Sequence, residues 1–567
     1  MERVSRIFLI VLLLGGSYFY FGGFNGLSGK QDDIQPIAEH AVQMPTGALP
    51  SPAECELWTP EYHATISARG GSIRAFETLT AKYRHDKKPI QLATTPDHPQ
   101  LSPLFTSLRN SASGARPDEL LNQDVVDFNV ERSSATECVL EYKTPSARLT
   151  KTFKVGAAPY SVDTELKVEN LGSSKASYSL LVSTMSYLKD ADVENKMFRM
   201  NPLSTHVECV TQDGSVKRER REQFEPKEFE DKARFAKSLT NDGDWSEAAA
   251  RAEVAAVSSA YFTSAISHVA GPTRPSCQLQ IEDRFNASAY GSRKKDPSAA
   301  AIYKARLAYQ PRVLEPGASD VYQFKAYVGP KERKALAAAG ETFDPLIDLG
   351  FFSIIAKVLV QYLLFLRSLV PNWGIAIVLL TITARILLFP LSVPSVRNMI
   401  HMRELKPEMD AINARFKDDA QAKGLAQMEL WKKHGVNPMK GCLPQLASMP
   451  VWFALYTTLQ TAVELYNIPF LWFPDLSAPD PLYILPFVIG GVNFAQQKMM
   501  PMQGDPAQQK MMLYMMPAMF TLFMLFLPAG LGVYMFTNSL LGIAQQRIVE
   551  HHAKKSLAQR RLAKAST

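Results

Sequence analysis

The sequence predicts a multi-pass α-helical membrane protein with six transmembrane helices, carrying an all-β soluble domain between its first two spans. Three observations predict it. An apolar run at 7–27 opens the chain behind Arg3 and Arg6, residues 61–342 are built of short alternating apolar and polar runs, and residues 343–546 are dominated by long apolar stretches. At 567 residues the chain is long enough for more than one domain. Its net charge of +7 is modest and much of it sits in the last residues, without interleaved aromatics. That is too little to argue for a dedicated nucleic-acid domain, and no sequence-specific nucleic acid is expected as a partner.

Residues 7–27 can cross a hydrocarbon core of about 30 Å at about 1.5 Å per residue. The run exceeds the roughly 7–15 residues of a cleaved signal's apolar core, and the stretch at 26–29 is a poor cleavage site. Residues 1–27 therefore read as an uncleaved signal anchor. Residues 28–60 hold Pro36, Pro45, Pro50, Pro52 and Pro60 with few large apolar side chains, the composition of a flexible tether. Within 61–342, alternating runs at 149–155, 160–168, 176–183, 302–310 and 321–328, with turn residues between, predict a large antiparallel β-sandwich. The mixed-sign charge run 216–237 reads as a solvated loop or helix. Cys55, Cys138, Cys209, Cys277 and Cys442 have no metal-ligand spacing, and neither a metal nor another cofactor is expected. Cys442 reads as a packing thiol. The other four could pair in an oxidising compartment, but their wide separations predict no connectivity, and free thiols are the favoured reading.

Residues 343–370 pass for a span, yet Lys357, Gln361 and Ser368 recur at helical spacing with Arg367 beside them. Such a stripe suits an amphipathic helix lying in the membrane interface. The helical core then occupies 371–546, with spans at 373–391, 443–463, 482–496, 511–527 and 531–545. Parity supports this assignment. With the N-terminus inside, 392–442 carries nine Lys/Arg against six Asp/Glu, and 546–567 carries six against one. The outward loop 464–481 has Glu464, Asp475 and Asp480 but no basic residue. Every short segment obeys the positive-inside rule, which counting 343–370 as a span would invert. Pro528, Ala529 and Gly530 break the last apolar stretch into a tight helical hairpin.

Arg385 is the only charged residue in 373–391. A cation at that depth costs about 2.5–3.5 kcal/mol on insertion scales, so it marks water, a partner or a passing substrate. Thr381 lies one turn away on the same face. Gln445 and Ser448 share a face of the next span, Gln496 and Gln497 end the one after, and Tyr534, Thr537 and Asn538 sit on the last. For each of these alone, a hydrogen bond to a neighbouring helix is the commoner explanation. Residues 396–434 read as a helical hairpin turning at 417–419, with apolar stripes at Leu405, Met409, Ile412 and Phe416 and at Leu425, Met428 and Trp431. Methionines at 499, 500, 502, 511, 512, 515, 516, 519 and 524 supply adaptable apolar surface. The chain has no phosphate loop, no H-E-x-x-H and no G-x-S-x-G, and is not expected to be an enzyme.

Over nearly its whole length, and most specifically in its last 215 or so residues, the chain resembles the YidC-type membrane protein insertases of the YidC/Oxa/Alb superfamily, in the Gram-negative form with a large periplasmic domain. The resemblance rests on TARILLFPL around Arg385, MRELKPEM at 402–409, VNPMKGCLP at 436–444, SMPVWFALY at 448–456, DPLYILP at 480–486 and FLPAGLGVYMFTNSLLGIAQQ at 526–546, with weaker likeness at 70–83 and 327–332. It implies a bacterial inner-membrane protein with cytoplasmic termini, a five-helix insertase core with a hydrophilic groove, and a periplasmic super-sandwich similar to sugar mutarotases. Arg385, Thr381, Gln445, Ser448, Tyr534 and Asn538 are the implied groove residues. Ser448 stands where relatives often carry Gln, and Met535 where a second aromatic is common.

The expected activity is insertion and chaperoning of nascent membrane proteins, alone or with the Sec translocon (SecYEG with SecDF). Polar segments would enter the groove while apolar ones slide into membrane lipids past Met449, Phe453, Met515 and Met519. The ribosome and the signal recognition particle receptor would dock on the hairpin and the basic tail, 547–567, through Arg403, Lys406, Arg415, Lys432, Lys433, Arg560 and Arg561. A small-anion transporter could use the same arginine, but the internal repeats usual in such folds are missing from the sequence. A membrane-anchored sugar-binding or sugar-processing protein would rest on the sandwich's fold alone, which does not carry function.

Overall fold

The computed structural model describes residues 53–85, 88–92, 102–109, 127–189, 205–220, 245–284, 300–416, 419–435, 438–499 and 511–565. The N-terminal anchor, the tether up to 52 and part of the charge run, 221–237, lie outside the described residues.

Alternation along each strand sorts side chains into a core. In Ala147–Val155, Leu149, Lys151 and Phe153 are buried while Thr150 and Thr152 are half-exposed, as a two-residue period requires. A nine-stranded antiparallel sheet runs Val216–Glu219, His206–Thr211, Ala252–Ser258, Phe262–Ala270, Ser319–Pro330, Ser161–Asn170, Ala147–Val155, Glu137–Lys143 and Asn129–Ser133. A second sheet runs Ser246–Ala249, Pro275–Arg284, Ala300–Tyr309, Ala176–Lys189 and Arg312–Leu314, with Phe105–Arg109 also pairing on Ala176–Lys189. The inner faces share one core, in which Phe153, Val162, Leu166 and Phe324 join Leu180, Val182, Leu279 and Leu307. Lys151 is wholly buried there. Its ammonium donates to the carbonyls of Gly71 and Leu104, at 2.5 and 2.6 Å, and to Thr106 Oγ1 at 2.6 Å. Burial holds its pKa well below the usual lysine value.

Three sequence expectations need correcting in this domain. Glu54–Trp58, assigned to the tether, is a strand paired with Tyr62–Ser67. Its alternation buries Cys55 and Leu57, which outweighs the prolines on either side. The four cysteines are paired, as Cys55–Cys138 and Cys209–Cys277, with Cα–Cα distances of 6.2 and 6.1 Å. These contacts are tertiary, so sequence separation carried no sign of them; the second staples one sheet of the sandwich to the other. Finally, Val216–Glu219 of the charge run is an edge strand, where charged side chains guard an open hydrogen-bonding edge.

Beyond the sandwich follow α1 (Arg333–Ala339), a 3₁₀ turn (Glu341–Leu346), α2 (Ser353–Leu369), α3 (Trp373–Glu404), α4 (Lys406–Arg415), α5 (Ala420–Lys433), α6 (Pro438–Thr461), α7 (Ile484–Met499), a π turn (Met511–Met515), α8 (Met516–Met524) and α9 (Ala529–Ala565). Helix α3 packs against α9, α6 and α2, while α7 packs between α8 and α9. Their shared core includes Ile377, Leu380, Leu455, Leu459, Leu531 and Tyr534. Among the described residues, one 18-residue helical stretch, Trp373–Pro390, is long and apolar enough to cross a membrane, and Met511–Met524 is a shorter apolar helix.

Helix α2 buries Ala356, Val360, Leu363 and Leu366, leaving Lys357, Gln361 and Ser368 exposed beside Ile354, Val358 and Phe365. Two helices outrun their predicted ends. Helix α3 continues past 391 through Pro390 and Pro394 to Glu404, because packing of Ile400 on Val549 of α9 offsets the lost backbone bonds. Helix α9 unites the last span and the basic tail in 37 residues, since Ala, Gln, Leu, Lys and Arg are strong helix formers and neither Gly nor Pro follows Gly542. The hairpin is therefore α4 and α5 rather than all of 396–434. Leu405 and Met409 are buried as expected, but Leu425 and Met428 are exposed and Leu430 is buried instead. A bond from Gln427 Nε2 to Asn413 Oδ1, at 3.0 Å, occupies part of the face between α4 and α5.

Candidate functional site

Helix α3 starts where Asn372 caps it, its side chain accepting from Gly374 N at 2.7 Å and donating to Pro469 O at 3.0 Å. Pro469 belongs to the α6–α7 connection, which closes this end of the helices. A Cβ on Gly374 would fall 2.2 Å from the Phe470 ring, so only glycine admits that contact. Leu465, Phe473 and Leu476 of the same connection are buried in the helical core. The carbonyls of Leu476 and Ala478 accept from Gly530 and Ala529 at 2.8 and 2.7 Å, sealing the start of α9. Asp475 Oδ1 folds the loop by accepting from Asn467 N, Ser477 N and Ser477 Oγ. The sandwich is seated on the same loop. Tyr466 lies among Tyr83, Tyr261 and Phe262, Asn467 Nδ2 donates to the carbonyls of Lys82 and Arg84, and Glu464 faces Arg333.

Three turns into α3 stands Arg385, half-buried. Helices α3 and α9 run side by side in the same direction, with Ile377 near Gly530 and Ile400 on Val549. This places Arg385 against the middle of α9. Its Nε donates to Asn538 Oδ1 at 2.6 Å, Nη2 to Asn538 O at 2.8 Å and Nη1 to Gln545 Oε1 at 3.5 Å. Among the described residues no carboxylate pairs with it. The cation is thus satisfied by neutral acceptors and keeps its full charge. Next to it, Ser539 Oγ donates to Asn493 Oδ1 of α7 at 3.0 Å, so the polar seam spans three helices.

The structure joins Arg385 to Asn538 but treats the other expected groove residues differently. Thr381 is fully buried and its hydroxyl donates to Ile377 O at 2.7 Å; it packs the seam instead of lining a free surface, because a threonine inside a helix finds its own carbonyl one turn back. Tyr534 is likewise packed in the helical core. Gln445 and Ser448 lie on α6, with side chains outside the described residues. Met449, Met515 and Met519 are exposed, and Phe453 is half-buried, stacked 6.2 Å from Phe352. Of the docking candidates, Lys406, Arg415, Lys432 and Lys433 are exposed. Arg403 is not free: it pairs with Glu550 of α9 at 3.4 Å and bonds the Met499 carbonyl, tying α3 to α7 and α9. The continuation of α3 to Glu404 brings it there. Arg560 and Arg561 lie on α9 with side chains outside the described residues. Gln545 and Asn493 were not singled out in the sequence. The available signal was spacing, since Asn538 and Gln545 fall on one helical face.

Comparison with known proteins agrees with this architecture. Residues 54–362 match the family profile described as the YidC periplasmic domain, and residues 365–556 match the one described as 60Kd inner membrane protein. A membrane protein insertase YidC of Anaeromyxobacter dehalogenans (strain 2CP-C) is 48% identical over 232 residues, which cover 40% of this chain and 43% of that protein. The chain thus matches less than half the length of that relative. One from Anaeromyxobacter sp. (strain Fw109-5) is 33% identical over 500 residues, covering 86% of this chain and 83% of that one. A solved structure, an active YidC insertase with its first transmembrane domain resolved, aligns over 88% of this chain and 92% of its own, with 17% identity and a TM-score of 0.35. With both halves matched in order, the chain belongs to the YidC family of membrane protein insertases.

Proposed function

We propose that the protein inserts membrane proteins by offering an intramembrane cation to the polar segment of a client while the client's apolar segment passes into lipid. One observation carries this reading: Arg385, in the one helical stretch among the described residues that is long and apolar enough to cross a membrane, is held by Asn538 and Gln545 and, among the described residues, by no acid. An uncompensated guanidinium at that depth favours transient carboxylates, which it can bind with two parallel bonds. Closure of the sandwich end by the α6–α7 loop supports entry from the hairpin end. The driving force is burial of the client's apolar surface, about 25 cal/mol per Å², and the polar seam lowers the cost of carrying its polar part.

In this reading six spans cross a bacterial inner membrane, α2 lies in the interface, the sandwich is periplasmic and both termini are cytoplasmic. Exposed Met449, Met515 and Met519 form the apolar exit. Lys406, Arg415, Lys432 and Lys433, with the tail, receive the ribosome and its targeting receptor, and the Sec translocon works beside the same core. The test is a stalled nascent membrane protein presented to full-length protein carrying a photocrosslinker at 445, 449 or 515, with 58 and 313 in the sandwich as controls. Capture at the helical positions is expected. Capture confined to the sandwich controls overturns the reading.

A further inference from the structure

Asn538, Gly542 and Gln545 fall at i, i+4 and i+7 on α9 and form a stripe facing α3. A Cβ built on Gly542 would lie 3.1 Å from Arg385 Nη2 and 3.5 Å from its Cζ, and 3.4 Å from Gln496 Nε2 of α7. Glycine in a helix interior costs about 1 kcal/mol relative to alanine, and Gly542 stands inside a 37-residue helix, buried. The missing side chain leaves a notch, and the guanidinium lies over it with Asn538 on one side and Gln545 on the other. We propose that Gly542 and Gln545 are positioning residues of the insertion site: together with Asn538 they form a seat on α9 that fixes the Arg385 guanidinium, and Gln496 borders it from α7.

The chemistry of the seat sets what the arginine selects. Amide and carbonyl oxygens satisfy the donors without neutralising the cation, whereas an incoming carboxylate offers both bonds and a charge. Exchange from seat to client is therefore favourable for acidic polar segments and gives nothing to neutral ones. The notch also fixes where that exchange happens, because a flat guanidinium over a bare helix stretch has its donors aimed in set directions. This inference rests on the insertase reading and adds to it the seat, in which Gly542, Gln545 and Gln496 position the cation.

The test uses full-length protein in liposomes and two otherwise identical short clients, one with an acidic and one with a neutral polar leader, scored by protease protection. Wild type should insert the acidic-leader client better, and Arg385→Gln should remove that preference. If wild type inserts neither client, the insertase reading itself fails. Gly542→Leu fills the notch and should lower the acidic-to-neutral ratio about tenfold. Gly542→Ala, which intrudes by one methyl and favours the helix, should shift the ratio in the same direction by a smaller factor, as should Gln545→Leu. Because the readout is a ratio, a general folding defect lowers both clients together and leaves it unchanged. An unchanged ratio in Gly542→Ala and Gln545→Leu overturns the seat while leaving the wild-type preference standing.

Discussion

Replacing Asn538 by aspartate puts a carboxylate where the amide oxygen now accepts from Arg385 Nε at 2.6 Å. Opposite unit charges about 4 Å apart attract by about 4 kcal/mol at an effective dielectric of about 20. A client carboxylate would have to displace this built-in partner, and 4 kcal/mol corresponds to about a thousandfold penalty. Desolvation of the new carboxylate offsets part of it, so a loss of at least tens of fold is expected. Asn538→Ala acts in the opposite sense on the arginine. It removes a hydrogen bond to a charged group, worth about 1.5–3 kcal/mol, yet leaves the cation uncompensated. In the liposome assay with an acidic-leader client, Asn538→Asp should therefore be far more damaging than Asn538→Ala, although aspartate is the closer match in size and the pair it makes is satisfied. Equal melting temperatures for wild type and Asn538→Asp in detergent would show that the fold is kept. Wild-type insertion by Asn538→Asp, or greater damage from Asn538→Ala, would refute the requirement for a free positive charge.

Two further predictions concern the sandwich. Cys209 and Cys277 join its two sheets across a separation of 68 residues, a closure worth about 4 kcal/mol in the chain-entropy account. The double variant Cys209→Ala/Cys277→Ala should melt at least several degrees lower in scanning fluorimetry of the full chain; an unchanged midpoint would rule out a stabilising staple. His268 is buried, with Nδ1 2.8 Å from Tyr309 Oη, and burial, helped by the charge of Arg274, pushes its pKa down to about 4. The unfolded chain then takes up this proton first, near pH 6.5, so the contribution of His268 to stability is present above about pH 6.5 and falls as pH drops toward 4. His268→Gln should flatten that part of the pH–stability curve, and parallel curves for the two proteins would refute the assignment.

How far each feature was legible in the sequence follows from the range of the interaction that creates it. The inward positions of Ala147–Val155 and the apolar run around Arg385 are set by neighbours in sequence and could be read directly. Arg385 itself stood out because one charge in nineteen apolar positions has no local explanation. The end of α3 could not be read, because Pro390 and Pro394 argue locally for a break that the contact between Ile400 and Val549 overrides. Both disulfides depend on which strands meet, which no spacing states. Gln545 was hidden for another reason. A glutamine near the polar end of a helix is unremarked until α3 is known to lie against it, and Gly542 carries no side chain to notice at all.

The two ends of the helical core are built on different principles, and that asymmetry gives the site a direction. At the sandwich end the closure is dry and redundant: Phe473 and Leu476 are buried, Phe470 lies against Gly374, and the backbone of the loop bonds the start of α9. Tyr466 and Asn467 then clamp that loop to the sandwich, so opening this end would cost an aromatic cluster and two hydrogen bonds at once. At the hairpin end the ties among the described residues are smaller: the Arg403–Glu550 ion pair, whose arginine side chain is 41% exposed, the bond from Arg403 to the Met499 carbonyl, and the packing of Ile400 on Val549. With the arginine partly exposed and Glu550 12% exposed, the ion pair itself contributes about 1 kcal/mol. On the proposed insertion reading, a polar segment would reach Arg385 from the hairpin side, and the sandwich would bear on insertion by holding the far end shut.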